Sequence, residues 1–409
     1  MEKKRKRILI VTQYIYPENF KSNELVFELA KRGHHIDVLT GIPNYPEGVY
    51  FKGYGLFKKR IEHKDGVNFY RCIQTPRGRK ASGLGLSCNY ISFVFFATLW
   101  VLFFFAWKKR YDAIITHEPS PITQLIPAII LGKIRRVPVY SWIMDIFPDA
   151  IRNSVSEKQY KIIAPILTRI TEWTYKNSHK ILITSKGFEE LICRNNDYHD
   201  KIVYYPNWSV DMSVNKTNFK TPDMPDGFRI MLAGNLGESQ NLDAIGECIK
   251  LLHDCKEVKW VFVGDGSWKT WLDNFIRDNN LDDVAFTLGR FPGETMPAFF
   301  QKASAMLVTL RGGFIDLDMT VPARLQSYMS AGRPVLAMIG KGGADLINES
   351  DCGYAVAPSD YKALADVIRN KVLTNKESFE QKGMNGRKFF EHNFMLDDCI
   401  TNIENILLD

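Results

Sequence analysis

The sequence predicts an α/β protein built from two Rossmann-like, doubly wound domains. Residues 7–40 contain an apolar strand, a helix ended by Gly33 and a second apolar strand, which together form a βαβ unit. A second unit of this kind begins at residues 228–243, where a strand runs into a glycine turn and a helix. The chain of 409 residues is 45% hydrophobic and 24% charged, which is enough to bury two large cores.

The N-terminal domain is predicted to cover residues 1–208. Its first strand, 7–12, follows a basic start, but no small-residue cleavage site comes after it, so a buried strand is favoured over a signal peptide. The turn at 13–23 lacks a G-x-G-x-x-G pattern, which argues against a nicotinamide-binding domain. Two later strands end at His117 and just before Asp145, and ligands bind at such carboxyl ends in open α/β sheets.

Residues 90–107 form a continuous stretch without a charge, closed by Lys108-Lys109-Arg110. The length of the stretch is at the lower limit of a membrane span. Three interpretations stay open: a buried core helix, a true span, and an apolar helix that lies on the membrane with its basic ends on anionic headgroups. A span would put two parts of one βαβ domain on opposite sides of a bilayer, whereas a surface helix agrees with the distribution of charge.

Positive charge is concentrated in the first half of the chain. Residues 1–205 carry 32 Lys and Arg against 18 Asp and Glu, whereas residues 206–409 carry 21 against 28. Basic clusters lie at 3–7, 58–60, 77–80 and 108–110. The excess indicates an anionic partner such as nucleic acid or an acidic membrane surface, or else a generic solubilising surface. The seven cysteines form no C-x-x-C pair, so we expect reduced thiols in a cytosolic compartment and neither a zinc site nor a disulfide framework.

The C-terminal domain is predicted to cover residues 209–385, and this range begins with a polar linker at 212–227. Its first strand runs into a turn that contains Gly234 and Gly237, and a helix follows. Backbone amides in such a turn can approach a pyrophosphate closely.

The most informative stretch of the C-terminal domain is 321–337. It predicts a helix that starts near Pro322, a glycine stop at Gly332 and a strand from Pro334. Arg324 lies in the first turn of this helix, where free N–H groups, the helix dipole and a guanidinium group together can hold a phosphate. The stretch therefore predicts a site for an anionic donor.

Residues 322–335 resemble the donor-site helix of the retaining glycosyltransferases of family 4, P-(S/A)-(K/R)-L-x-(E/S)-Y-M-x-x-G-x-P-V. Residues 234–240 are similar to the G-N-x-G-x-x-Q pattern of that family, and residues 112–119 to its D-x-x-x-x-H-E-P segment, whose His lies against the donor sugar. The similar branch builds bacterial O-antigen, capsule and colanic-acid repeat units. The resemblance implies a GT-B fold, with two domains facing across a cleft and a final helix, here 386–409, that crosses back to the first domain.

The resemblance also implies a set of site residues. Those implied in catalysis are His117, Asp145 and Arg324. Those implied in donor binding are Gly234, Asn235, Gly237, Gln240, Gly264, Arg290, Phe291, Arg324 and Ser327. Those implied in acceptor binding are Glu18, Asn19, Lys21 and Glu118. Two structural alternatives stay open, because His117 could be a core histidine and Asp145 an Asx cap of the following helix.

The chain departs from the family pattern at Lys21-Ser22, Gln240, Met319 and Ser327. Relatives commonly carry a glycine pair at the first place, Lys at the second and Glu at the last two. Asp316-Leu-Asp318 matches the D-x-D motif that holds a divalent metal in the other glycosyltransferase fold. Because the resemblance implies a metal-independent enzyme, we interpret this segment as a solvated loop.

The resemblance implies a hexosyltransferase that moves an N-acetylated or deoxy hexose from UDP to a polyprenyl-pyrophosphate-linked saccharide, with retention. No cofactor is expected besides the nucleotide sugar. The expected location is the cytoplasmic face of the plasma membrane, with peripheral attachment to an anionic surface and no nucleic-acid partner. Two alternatives stay open: a catalytically silent GT-B protein that binds a nucleotide sugar or acts as a scaffold, and a nucleotide-sugar 2-epimerase.

Overall fold

A computed structural model describes residues 5–79, 83–152, 155–214 and 217–408. The basic residues Lys3, Lys4 and Lys80 and residues 215–216 of the predicted linker lie outside the described residues. The chain divides into two compact units, Met1–Tyr205 with Ile400–Asp409, and Pro206–Cys399. Each unit is α/β with its own mainly parallel sheet, which confirms the predicted fold class.

The first unit is built around an eight-stranded sheet. Its strands are β1 Arg7–Val11, β2 His35–Thr40, β3 Ile61–Lys64, β4 Val67–Arg71, β5 Ala113–Glu118, β6 Val139–Ile143, β7 Lys180–Ile183 and β8 Ile202–Tyr204. Its helices are α1 Lys21–Lys31, α2 Gly83–Phe103, α3 Ile126–Arg135, α4 Glu157–Asn177 and α5 Phe188–Ile192. The strand order is β3-β4-β2-β1-β5-β6-β7-β8, and every pair is parallel except β3 with β4. The predicted βαβ start is confirmed by β1, α1 and β2.

The β3–β4 hairpin is an element that the sequence-based prediction missed. Asp65 and Gly66 form its turn, with φ angles of 47° and 81°. Positive φ at both central residues is the requirement of the tight hairpin turn that favours Asp-Gly. The dipeptide was therefore a usable signal for this antiparallel edge.

Helix α2 combines two of the interpretations of the apolar segment. One stripe at a spacing of four residues, Phe93, Ala97, Val101 and Phe105, is buried in the core against the sheet. Other apolar side chains of the same segment are exposed: Ile91, Phe95, Phe103 and Trp107. Within the described residues one helix, Gly85–Trp107, is long and apolar enough to cross a membrane, judged by length and composition alone. The core-helix interpretation therefore explains one stripe of α2 and leaves an apolar surface unexplained.

The second unit contains a six-stranded, fully parallel sheet. Its strands are β9 Phe228–Asn235, β10 Val258–Asp265, β11 Ala285–Gly289, β12 Ala305–Thr309, β13 Val335–Met338 and β14 Gly353–Val356, in the order β11-β10-β9-β12-β13-β14. The remaining helices are α6 Leu242–Leu251, α7 Lys269–Asp278, α8 Met296–Phe300, α9 Ile315–Met319, α10 Ala323–Ser330, α11 Lys341–Ser350, α12 Tyr361–Val367, α13 Lys376–Asn393 and α14 Leu396–Ile406. The predicted helix start, the glycine stop and the following strand in 321–337 are confirmed by α10, by Gly332 with φ 67° and by β13.

The C-terminal segment differs from the single helical stretch predicted at 386–409. It consists of α13 and α14, separated near Phe394, and only the part from Ile400 belongs to the first unit. Phe394 is fully buried in the core of the second unit, which holds the preceding segment there. In the first unit, Glu404 of α14 pairs with Arg32 and with His34, at 2.9 Å in each case.

Candidate active site

Arg324 is the second residue of α10, in the second unit. A Cβ built on Gly234 would lie 3.7 Å from Nη2 of Arg324, so the guanidinium group lies against the carboxyl end of β9. Its Nη1 atom is buried and has no hydrogen-bond partner within the described residues. Arg324 also pairs with no carboxylate of the residues that the structure describes. The result is an unneutralised cation at a helix start, where the N–H groups and the helix dipole favour an anion.

The turns that follow β9 and β10 pack directly on each other. Gly234 has φ 132° and Gly264 has φ 153°, a backbone region that disfavours side chains. A Cβ on Gly264 would lie 1.8 Å from the carbonyl oxygen of Gly234, so only glycine fits there. A Cβ on Gly237 would lie 2.7 Å from Nδ2 of Asn235, which is exposed beside it. Gly234, Asn235, Gly237 and Gly264 therefore lie close together at the carboxyl ends of β9 and β10, with the exposed Gly234 against Arg324 and with Gly237 and Gly264 buried.

His117 and Glu118 are the last two residues of β5, in the first unit, and both are buried. Neither ring nitrogen of His117 has a hydrogen-bond partner within the described residues, and the ring packs 4.7 Å from that of Trp142. Burial lowers the pKa of His117 to about 3. Burial, and then the nearby Asp145 carboxylate, raise the pKa of Glu118 well above 4.5. His117 is therefore neutral at neutral pH, and burial favours the protonated form of Glu118.

Asp145 follows β6 by two residues and lies beside Glu118. The Met144 amide donates to the carbonyl oxygen of Glu118 over 3.2 Å, which brings the two strand ends together. The next helical turn, Asp149–Ile151, has Pro148 as its N-cap, so Asp145 is not the cap of that turn.

Tyr90, in the first half of α2, lies near Glu118 and Asp145. The sequence analysis treated it only as part of the apolar segment. Burial raises the pKa of the Tyr90 hydroxyl, the Arg77 charge and a contact with Ser120 oppose the rise, and the Asp145 carboxylate adds to it. The usable signal was a hydroxyl-bearing aromatic residue near the start of an otherwise apolar helix. Ser120 has φ 99°, which is strained for a residue with a side chain and is typical of functional loops.

Both halves of the chain match known glycosyltransferase families. Residues 22–208 match the family described as "Glycosyl transferase 4-like domain", and residues 227–373 match "Glycosyl transferases group 1". The chain belongs to these glycosyltransferases. It is 24% identical over 318 residues to "Probable glycosyltransferase WbjE" of Pseudomonas aeruginosa, covering 73% of this chain and 74% of that one. It is 23% identical over 376 residues to "Putative colanic acid biosynthesis glycosyl transferase WcaI" of Escherichia coli (strain K12), covering 87% and 89%.

A solved structure supports the fold of the glycosyltransferase. The chain is similar to Anabaena Alr3699/HepE in complex with UDP, with a TM-score of 0.67 at 16% identity over 98% of this chain and 99% of that one. At this identity the likeness is one of fold, and it confirms the GT-B class.

The other residues of the glycosyltransferase that are predicted to bind the donor differ in burial and in contacts. Gln240 is buried, and its Nε2 atom donates to Oγ of Ser239 over 3.1 Å, while its Oε1 atom has no partner within the described residues. Arg290 is exposed at the end of β11. The Phe291 ring packs 4.7 Å from that of Phe299, inside its own unit. Their contacts with a nucleotide stay predictions.

Ser327 lies in the second turn of α10, and not at its start as the sequence suggested. Its hydroxyl shares a hydrogen bond of 2.8 Å with Oγ of Ser209. The Ser327 side chain, which stands where the family commonly carries Glu, is therefore hydrogen-bonded within the second unit.

Arg311 does not stand out in the sequence, yet the structure places it beside the first glycine turn of the glycosyltransferase. It follows β12 by two residues, and its backbone amide donates to the Ser239 carbonyl over 2.9 Å. Its guanidinium group pairs with Asp243 at 2.9 Å and lies over the Trp268 ring. A cation at the carboxyl end of a central strand was the signal that could have found it.

The Asp316-Leu-Asp318 segment is helical, so its interpretation as a solvated loop was wrong. It forms most of α9, and a Cβ on Gly340 would lie 2.3 Å from the Cα atom of Asp318, so the segment is packed against the unit. Burial raises the pKa of Asp318. Among the described residues, one group brings three potential metal ligands together, Cys193, Asp197 and His199 in the first unit, and it does not include this pair.

The first loop of the glycosyltransferase contains the predicted acceptor residues. Glu18 is buried, its Oε1 atom accepts hydrogen bonds of 2.7 Å from the amides of Asn44 and Tyr45, and burial raises its pKa to about 7. Asn19 is exposed, and Lys21 pairs with Glu24 at 3.6 Å. Glu18 thus orders its own loop, and contact of these residues with an acceptor stays a prediction.

Proposed function

We propose that this glycosyltransferase transfers a hexose from a UDP-sugar to a polyprenyl-pyrophosphate-linked saccharide, in the synthesis of a cell-surface polysaccharide. The observation that supports the donor half is the unpaired guanidinium group of Arg324 against Gly234. A diphosphate fits a cation, a helix start and glycine turns without side chains. The HepE structure holds UDP, which favours this nucleotide, and the name of WcaI favours a surface polysaccharide.

The proposed reaction breaks the bond between the anomeric carbon and the UDP oxygen and forms a bond from that carbon to an acceptor hydroxyl on the same face. The leaving diphosphate gains negative charge in the transition state, where Arg324 and the amides near Gly237 stabilise it. The acceptor hydroxyl gives its proton to the leaving phosphate. We propose that the reaction needs no metal and no cofactor, because Arg324 supplies the positive charge.

The residues of the first unit are assigned to the sugars. The neutral imidazole of His117, buried and without a protein partner among the described residues, can hydrogen-bond a donor-sugar hydroxyl. Asp145 is assigned to orient the acceptor hydroxyl, beside Tyr90 and the neutral Glu118. The retained configuration of the product follows from this front-face arrangement, since no protein nucleophile is assigned.

We also propose that the protein lies at the cytoplasmic face of the plasma membrane. The exposed apolar side chains of α2, with Lys108, Lys109 and Arg110 after them, suit an anionic bilayer surface. Sedimentation with anionic vesicles tests this. Changing Phe103 and Trp107 to Ser should release most of the protein, and unchanged sedimentation would contradict surface binding.

The deciding experiment incubates purified protein with single UDP-sugars and a polyprenyl-diphosphate saccharide, in the presence and absence of EDTA. We expect one UDP-sugar to give a product that is heavier by one hexose, with retained anomeric configuration by NMR and with an equal rate in EDTA. Conversion of the UDP-sugar without an acceptor would favour the 2-epimerase. Binding of UDP-sugars without any turnover would favour the silent protein.

A further inference from the structure

An apolar groove of about 430 Å³ lies between α2 and α3 in the first unit. Ile91, Val94, Phe95 and Leu99 of α2 form one wall, and Ile126 and Ile130 of α3 form part of the other. The residues of α2 follow a spacing of three and four, so they form a single stripe along the helix. This stripe is separate from the stripe through Phe93 and Ala97 that packs on the sheet.

The groove begins next to the residues assigned to the reaction. Ile91 directly follows Tyr90, whose hydroxyl is influenced by Asp145 and Ser120. The first half of α2 is also held at the carboxyl edge of the sheet, because Oδ1 of Asn89 accepts hydrogen bonds from Gln13 and from Tyr14, over 2.8 and 2.6 Å. With a rise of 1.5 Å per helical residue, the stripe from Tyr90 to Leu99 extends roughly 14 Å away from this edge.

A positive charge lies at the same end of the groove. The Arg77 guanidinium group is 5.0 Å from the ring centre of Tyr45 and 5.7 Å from that of Tyr14. Its electrostatic influence reaches the Tyr90 hydroxyl. Arg77 forms no ion pair with any carboxylate of the described residues. Reacting groups, a cation without a carboxylate partner among the described residues and a channel without charged lining therefore meet near Tyr90.

We propose that this surface is the lipid subsite of the acceptor: the α2–α3 groove holds the polyprenyl chain and Arg77 binds the diphosphate that links it to the saccharide. The inference rests on the acceptor class proposed above. An apolar groove alone fits many partners, but a groove that begins beside both a cation and the reacting residues offers adjoining places for the tail, the diphosphate and the sugar of such an acceptor. Isoprenoid chains offer no hydrogen bonds, and six of the eight residues that line the groove are aliphatic or aromatic, the other two being Thr98 and Thr123.

The kinetic test compares two acceptors in detergent micelles, so that attachment to a bilayer plays no part. One carries the saccharide diphosphate on a long polyprenyl chain and the other carries it on a methyl group. Phe95→Ser should raise the KM for the polyprenyl acceptor about tenfold, because an aromatic contact is lost, and leave the KM for the methyl acceptor and the UDP-sugar unchanged. Phe57→Ser is the matched control, since Phe57 is an exposed aromatic residue of the first unit outside both α2 and the groove, and it should change none of these values.

The diphosphate part of the proposal has its own variants. Arg77→Ala should raise the KM for both acceptors about tenfold, because the lost charge contacts the group that they share. Arg79→Ala removes an exposed arginine two residues away and should have no effect. An equal effect of Arg77→Ala and Arg79→Ala, or of Phe95→Ser and Phe57→Ser, would overturn the proposal in favour of a generic basic or apolar surface.

A readout independent of turnover separates this inference from the proposed function. A polyprenyl diphosphate with a photoreactive terminal isoprene is bound to the full chain and cross-linked, and the labelled peptides are identified. We expect label on α2 and α3, reduced by Phe95→Ser and not by Phe57→Ser, even if no sugar is transferred. Label elsewhere, or equal label from a photoreactive phospholipid, would overturn the groove as a polyprenyl site.

Discussion

The two units differ in the kind of site that their strand ends form. In the second unit, Arg324 places an unpaired cation against glycine turns at an exposed surface. In the first unit, His117 and Glu118 are buried, and burial lowers the pKa of His117 and raises that of Glu118, which favours the uncharged form of each. A donor diphosphate and an uncharged sugar need different surroundings, so the contrast supports the proposal that one unit stabilises charge and the other recognises hydroxyl groups.

The largest effect is expected from removing the cation. Arg324→Ala should lower kcat by about 10²–10³-fold, because one stabilising partner of the leaving diphosphate is lost. Arg324→Lys should recover part of the rate, since it keeps the charge but loses the fork that binds two phosphate oxygens. Initial rates at saturating UDP-sugar measure both variants.

Arg277 provides the control for this change. It is an exposed arginine of α7. Arg277→Ala should leave kcat unchanged, and an equal loss in both variants would contradict a special role for Arg324.

The next largest effect is a loss of stability at the glycine turns beside Arg324. Gly264→Ala should lower the free energy of unfolding by about 3 kcal/mol or more, because the new Cβ meets the Gly234 carbonyl oxygen and φ is positive. Gly289→Ala, at the end of neighbouring β11, also has positive φ but no atom within 4 Å of the new Cβ. It should cost only about 1–2 kcal/mol. Urea unfolding measures the free energy of unfolding of both variants. Equal losses would show that the positive φ alone, and not the contact with the Gly234 carbonyl oxygen, sets the loss of stability.

The second-unit site was predictable from sequence because its parts are local. Within a few residues the sequence contains a helix start at Pro322, the predicted phosphate ligand Arg324 and a helix end at Gly332. Gly234 and Gly264 each follow a strand whose apolar pattern is clear, although their contact with each other depends on the pairing of β9 with β10. At this site the sequence motifs place glycine where the backbone conformation requires it, so the prediction and the structure agree.

The first-unit site was predictable only in part. The strand ends at His117 and Asp145 were visible, but the neutral state of His117 depends on its burial by residues far away in the chain. Tyr90 was hidden inside an apolar segment, and its neighbours Ser120 and Arg77 come from other loops. Which stripe of α2 packs on the sheet could not be read from a helix that is apolar on all sides.

A smaller effect is expected from Arg311, which lies next to the place where relatives commonly carry Lys and this chain carries Gln240. Arg311→Ala should raise the KM for the UDP-sugar about fivefold, because a second positive charge near the glycine turn is lost, although its pairing with Asp243 weakens that charge. Adding Gln240→Lys should restore the affinity. An Arg311→Ala variant with unchanged KM would leave Arg324 as the sole cation of the donor site.

The smallest effect on activity is expected from Glu118→Gln. Because burial raises the pKa of Glu118 and favours its protonated form, an amide of similar shape should change kcat less than about threefold, whereas loss of a charged catalytic carboxylate would cost far more. The pH dependence of the free energy of unfolding tests the direction of the Glu118 pKa shift. The pKa of Glu118 in the folded protein is raised above 4.5, so its contribution to stability is complete below that pH and is lost as the pH rises toward the folded pKa.

Glutamine cannot ionise, so Glu118→Gln should gain stability relative to the natural protein as the pH increases above about 4.5. Urea midpoints at two values of pH, one near the lower end of this window and one well above neutrality, measure the difference. Glu294→Gln, an exposed site, should show no such trend. A difference that shrinks as the pH rises would mean that Glu118 is charged in the folded protein, and the contrast between a neutral first-unit site and a cationic second-unit site would then fail.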